Sequence, residues 1–185
     1  MKNNQSNILL TGFRATGKST VGRLLAQRLG LDYMDMDIEL SKRLGGSVSE
    51  VVGAHGWAFF RKAEAHLLDE LSHFKGYVIA TGGGAIEHQE QWQRLRKNSY
   101  VFWLDADATI IDKRVQADPL SSEQRPCLSA GDGSSKESTR KILERRRPLY
   151  RLGADVRLDA GKNSPEQLTT LALAWLETRE QEAQA

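Results

Sequence analysis

Residues 8–20 read ILLTGFRATGKST, an apolar run that breaks at Gly12 and, after four further residues, gives Gly17, Lys18 and Ser19. This is the spacing of a phosphate-binding loop. The glycines let backbone N–H groups turn inward around phosphate oxygens, the lysine reaches the β- and γ-phosphates, and the serine hydroxyl can ligate magnesium. Such a loop works between a buried strand and the start of a helix whose partial positive charge faces the anion. Both flanks are present: Ile8, Leu9 and Leu10 read as the strand, and Val21, Leu24, Leu25 and Leu29 recur at helical spacing until Gly30. A glycine turn with a chance lysine would not explain both flanks, so a nucleoside triphosphate is the expected ligand.

Further along, residues 31–37 (LDYMDMD) alternate, with Tyr33, Asp35 and Asp37 on one side and Met34 and Met36 on the other. The pattern predicts a second strand that leaves two carboxylates at its C-terminal end, where ligands of open parallel sheets bind. The competing reading is a polar strand tail that caps the next helix. Ser47 and Glu50 form a capping box for a short helix towards His55 and Gly56. A longer helix follows, with Phe60, Ala63, Leu67 and Leu71 as its apolar stripe. Arg61 and Glu64 lie one turn apart on that helix, a spacing that by itself means no more than a surface ion pair.

Residues 77–81 (YVIAT) predict a third buried strand that runs into Gly82, Gly83 and Gly84, where a ligand could lie against bare backbone. Residues 90–97 predict a helix around Trp92 and Leu95, and residues 100–104 (YVFWL) the most hydrophobic strand, ending at Asp105. An acid in that place rivals Asp35 as the residue that orients magnesium. Asp107 is the expected cap of a helix carrying Ile110, Ile111, Arg114 and Val115. Between 117 and 138 proline, serine and glycine crowd a stretch of weak periodicity, the composition of a long mobile loop and, beside a nucleotide site, of a lid.

After it, Arg146 follows Ile142 and Leu143 by four and three residues, so it belongs to the inward stripe of its helix. An inward guanidinium needs an anionic partner or a polar cavity. The alternative is a side chain that snorkels out past the helix end. Residues 155–159 predict the last strand, and Ser164, Pro165 and Gln167 the start of the last helix. Strand and helix alternate five times, which is the pattern of a doubly wound, five-stranded parallel α/β sheet with helices on both faces.

With 185 residues, one domain is expected. Lysine and arginine number 26 against 24 acids, a net charge of +2, which argues against a broad positive field for nucleic acid. The single cysteine, Cys127, excludes an intramolecular disulfide and suits a reducing compartment. The apolar segment near the N-terminus is too short for a signal peptide, and no run is long enough to cross a bilayer, so a cytoplasmic protein is expected.

Taken together, GFRATGKST, DMD, FFRKAE, ATGGGA, the RP-x-L motif at Arg125, and RRRPLY resemble shikimate kinases in order and spacing, from residue 8 to about 176. The resemblance implies a P-loop small-molecule kinase with a lid. Such an enzyme transfers the γ-phosphoryl of ATP, with Mg2+, to the 3-hydroxyl of shikimate on the route to aromatic amino acids. It implies that Gly12, Ala15, Thr16, Gly17, Lys18, Ser19 and Thr20 cradle the nucleotide, with Arg114 and Pro165 flanking the adenine. Lys18 and the lid residue Arg125 would contact the phosphates, and Ser19 and Asp35 would hold the metal. Asp37 would orient or deprotonate the acceptor, Arg61 and Arg146 would grip its carboxylate, Glu64 would hold Arg61, and Gly82, Gly83 and Gly84 would line its ring.

The family's strand order is expected to set Asp105 on a more distant strand, which favours Asp35 for the metal. The only partner expected is the small acceptor, with no nucleic acid, no membrane, and the chain acting as a monomer. Phe13, Arg14, Ala15 and Thr16 stand where the family more often has a glycine-rich loop, and Cys127 where leucine is common. A kinase of the same fold for another acceptor, gluconate or a nucleotide, would not need the paired arginines. A silent relative that only binds and regulates would keep the fold without turnover.

Overall fold

The computed structural model describes residues 6–118 and 139–182. Five parallel strands form its sheet: β1 (Asn7–Thr11), β2 (Asp32–Asp35), β3 (Tyr77–Ala80), β4 (Ser99–Asp105) and β5 (Val156–Asp159). The helices among the described residues are α1 (Lys18–Leu29), α2 (Met36–Leu44), α3 (Val48–Leu71), α4 (Gln89–Arg96), α5 (Ala108–Ala117), α6 (Thr139–Gly153) and α7 (Pro165–Glu182). A 3-10 turn, Ala85–Glu87, follows β3. The expected lid with Arg125 and Cys127 lies almost wholly outside the described residues.

The strands run in the order β2-β3-β1-β4-β5, so β1 sits in the centre with β3 and β4 as its neighbours. Alternation along each strand sends side chains to opposite faces. Leu9, Ile79, Val101 and Trp103 pack with Met36, Leu40, Leu67, Trp92 and Tyr150 on one face. Ile8, Leu10, Val78, Phe102 and Leu104 pack with Val21, Leu25, Leu168 and Ala172 on the other. With both faces covered, the central strands read as unbroken apolar runs.

Several local expectations are met in detail. The capping box of Ser47 and Glu50 opens α3, and Gly56, at φ 81°, interrupts its helical backbone, so the short and the long helix meet there. Ser164 and Gln167 form the reciprocal cap ahead of α7. Two expectations change. The second strand stops at Asp35, because the Asp35 carboxylate accepts from the backbone N–H of Asp37 and Ile38 and starts α2 there. Asp37 therefore lies in the first turn of a helix and not on a strand. Asp107 occupies the cap position of α5 without a side-chain capping bond, since its carboxylate accepts from Arg147 at 3.2 Å.

Parallel strands bring their carboxyl ends to one edge. The phosphate-binding loop leaves β1 there, Asp35 ends β2, the three glycines follow β3, and Asp105 ends β4. Gly12 is hemmed in by backbone at this edge: at φ +137°, a Cβ on it would stand 2.3 Å from the Leu104 carbonyl oxygen. The Gly12→Ala variant is expected to lose about 2–4 kcal/mol of stability in urea unfolding, from the clash and the left-handed backbone together.

Candidate active site

The loop after β1 presents the start of α1 with no acidic residue in its first turn and no side-chain cap. The N–H groups at such a helix end are open to an anion. Thr16 Oγ1 and Lys18 Nζ each donate to the Phe13 carbonyl at 2.8 Å, which folds the loop over the lysine stem. Ala15 takes φ 60°, a left-handed conformation that glycine adopts more cheaply. From α5, Arg114 donates to the carbonyls of Ala15 and Ala160, tying this loop to the end of β5, and Pro165 opens α7 nearby in the chain.

At the start of α1, Ser19 Oγ donates to Asp35 Oδ2 at 2.6 Å, and the Tyr33 hydroxyl reaches the same oxygen at 3.3 Å. Burial and the Asp35 charge push the Tyr33 phenol up to about 12, so it stays a neutral donor. Asp35 thus does both things that its sequence position allowed: one oxygen caps α2 and the other faces Ser19. Asp105 has other work. It accepts from Arg157 Nε at 2.9 Å and lies 3.4 Å from Arg147. The expected strand order is reversed: β4 is a direct neighbour of β1 and β2 lies one strand further out, so Asp105 stands on the nearer strand. The partners of the two acids, and not distance from β1, set Asp35 beside Ser19.

Beside the phosphate loop lies a solvent-open cleft walled by Arg14, Asp37, Arg61, Glu64, Gly83 and Arg146 together with Val48, Trp57, Phe60 and Gly84. Aromatic walls with a few convergent charged groups suit a small polar organic ligand. Arg146 is 3% exposed, as its place on the inner stripe of α6 requires, and its Nη2 donates to Glu87 at 2.7 Å. Arg61 Nη1 bonds Glu64 Oε2 at 2.5 Å, and His88 Nε2 shares that oxygen at 2.9 Å. Glu64 is 1% exposed, so Arg61 and Glu64 are not a surface pair.

The three glycines serve the protein's own side chains first. A Cβ on Gly82 would strike the carboxylates of Glu64 and Asp37, and one on Gly84 would strike the Arg61 guanidinium. Of the three, Gly83 alone would admit a Cβ, which would touch the Arg14 backbone and Arg146 Nη1 at 3.6 and 3.9 Å. Its carbonyl accepts from the fully buried Tyr150 hydroxyl at 2.6 Å, which fixes the turn.

Buried donors of the cleft wall such as Arg146 Nε and Trp57 Nε1 have no hydrogen-bond partner among the described residues. Such groups cost free energy unless a ligand or water satisfies them. Two arginines, a carboxylate and a phosphate loop thus share one edge of the sheet.

A family model for shikimate kinase matches residues 14–177. The chain belongs to the shikimate kinase family. It is 39% identical over 173 residues to a shikimate kinase of Syntrophus aciditrophicus, covering 90% of this chain and 89% of that one. Its structure superposes on the shikimate kinase of Acinetobacter baumannii in complex with shikimate with a TM-score of 0.84 and 30% identity, over 95% of this chain and 94% of that one. The shikimate kinase of Aquifex aeolicus gives a TM-score of 0.78 and 31% identity, covering 94% and 98%.

In this member of the shikimate kinase family the tertiary structure adds three residues that no motif had marked. Trp57 places its ring 5.1 Å from the Arg61 guanidinium, Glu87 meets Arg146, and His88 meets Glu64. A tryptophan just after a glycine was a visible signal; a Glu-His pair after an apolar dipeptide was not.

Burial works against ionising Glu64, but the His88 hydrogen bond and the Arg61 charge outweigh it and hold the carboxyl below its ordinary value of 4.5. A carboxyl depressed by folding contributes stability that is complete above its unfolded value and is lost as pH falls through its folded one. Glu64→Gln should therefore destabilise the protein by about 1–3 kcal/mol at pH 7. The difference in melting temperature from the wild type should shrink as pH is lowered below about 4.

Proposed function

We infer that this protein transfers the γ-phosphoryl group of ATP to the 3-hydroxyl of shikimate, giving shikimate 3-phosphate and ADP. One observation carries the reading: the Arg61 and Arg146 guanidinium groups and the Asp37 carboxylate wall a single cleft beside the phosphate loop. A planar carboxylate suits two guanidinium groups, each with parallel N–H donors. A hydroxylated ring seated between them and Gly83 would turn a hydroxyl towards Asp37.

Phosphoryl transfer passes through a loose transition state with charge on the equatorial oxygens, so positioning and cations do most of the catalysis. The loop N–H groups from Ala15 to Thr20 and the Lys18 ammonium hold the triphosphate. Asp37 orients the acceptor oxygen and takes its proton as the new P–O bond forms and the bond to the leaving diphosphate breaks. Arg61 and Arg146 fix the other end of the acceptor, and Glu64 holds Arg61.

Magnesium fits the oxygen pair of Ser19 and Asp35. No cluster of three or more His, Cys, Asp or Glu side chains able to hold a metal exists among the described residues. Magnesium in kinases takes one or two carboxylates and completes its shell with phosphate oxygens and water, so a hydroxyl and one acid suffice. When bound there, the ion supplies charge that offsets the charge developing on the β- and γ-phosphates.

No helix among the described residues is long and apolar enough to cross a membrane. We place the enzyme in the cytoplasm, acting as a one-domain monomer on small molecules.

The deciding experiment is ADP release from ATP and magnesium with shikimate, set against gluconate and nucleoside monophosphates. Turnover confined to shikimate is expected; equal or better turnover with another acceptor would overturn the reading, and none with any acceptor would favour a silent relative. Asp37→Asn should lower kcat about 10²–10⁴-fold. Nucleotide affinity, followed with a fluorescent ATP analogue, should stay at the wild-type value.

A further inference from the structure

The turn that follows the three glycines carries two adjacent side chains that tie both arginines of the cleft. Glu87 Oε2 lies 2.7 Å from Arg146 Nη2 and 3.9 Å from Arg61 Nη2, and its Oε1 lies 3.5 Å from Arg145 Nε. His88 Nε2 lies 2.9 Å from Glu64 Oε2, the oxygen that bonds Arg61. One short piece of backbone thus holds Arg146 directly, and Arg61 both directly and through Glu64.

Two guanidinium groups that converge on one cleft repel each other, and more strongly where burial lowers the local dielectric. The carboxylate that lies against both is Glu87. Arg61 and Arg146 wall the cleft, but Glu87 does not. It therefore meets the guanidinium groups from outside the cleft wall. It occupies one nitrogen of Arg146 and leaves the partnerless Nε for other use.

We propose that Glu87 is the positioning residue of acceptor recognition: as the shared counter-ion of Arg146 and Arg61, it keeps both guanidinium groups on the cleft wall so that one carboxylate meets both. The proposal rests on the reading of the cleft as the shikimate site. Its effect belongs to the carboxylate of the acceptor and not to nucleotide or to the hydroxyl that reacts. A purely structural Glu87 would affect every acceptor alike.

The test is steady-state kinetics on the wild type, Glu87→Gln and Glu87→Asp, with shikimate and with the same acceptor carrying a carboxamide in place of its carboxylate. Glu87→Gln should raise the KM for shikimate about tenfold, the scale of one charge-assisted hydrogen bond partly lost. Glu87→Asp, which keeps the charge on a shorter arm, should fall between. The preference for acid over amide in kcat/KM should drop by a similar factor, while the KM for ATP stays put.

An unchanged KM for shikimate would overturn the proposal. So would a lower one, which would make Glu87 a resident competitor, and so would an equal loss for acid and amide. If the wild type turns over shikimate and the Gln variant matches it, only this inference fails. If the wild type does not turn over shikimate, the functional reading fails first and this falls with it.

Discussion

A guanidinium group withdrawn from water must be met by negative charge, and the placing of Arg146 imposes that demand on the whole site. Desolvation of an unpaired ion costs several kcal/mol. Helix α6 turns Arg146 inward because Ile142, Leu143 and Tyr150 anchor the same face in the core. Burial works against its charge, yet Tyr150 and Glu87 beside it raise its affinity for the proton. Much of the cleft wall follows from satisfying this one group and its neighbour Arg61. Glu87, Glu64 and His88 gather there, and Gly82 and Gly84 lack side chains because Glu64, Asp37 and the Arg61 guanidinium fill the space.

The sheet sets the distance between this cationic corner and the phosphate loop. The glycine turn and the loop leave adjacent strands, β3 and β1, so Gly83 comes to lie near Arg14 without a long connection between them. Asp37 reaches the same cleft from the first turn of α2, where its carboxylate stands across Gly82 from Glu64. Helix-start geometry aims it better than a strand would, since a strand residue at that place would alternate to a face of the sheet. The carboxylates divide the labour by environment: Asp35 is shared between a helix cap and Ser19, Asp105 is held by arginines, and Asp37 faces the cleft.

Family membership and geometry agree on the acceptor class. The paired arginines suit an acceptor that bears a carboxylate, because a guanidinium pair is costly to keep without an anion to bind. Where the chain departs from the family pattern, the structure absorbs the change. Ala15 takes a backbone conformation normal for glycine, and Thr16 turns its hydroxyl back onto the loop.

Much of this was legible in the chain itself. The alternation of buried strands and amphipathic helices, the phosphate loop and the inward stripe of Arg146 are local patterns, set by periodicities of two and 3.6 residues and by fixed spacing along the backbone. Strand order, the pairing of Ser19 with Asp35, and the meeting of Arg61 and Arg146 are not local. Residues 61 and 146 come together only because β3, the 3-10 turn and α6 pack at one sheet edge, and no rule of sequence spacing reaches across eighty residues. Asp35 and Asp105 looked alike as strand-ending acids and were parted only by which arginines and hydroxyls the folded chain brought to each. Glu87 and His88 carried no signal at all. Their importance arises from what stands opposite them, and through-space electrostatics is decided by packing and not by order in the chain.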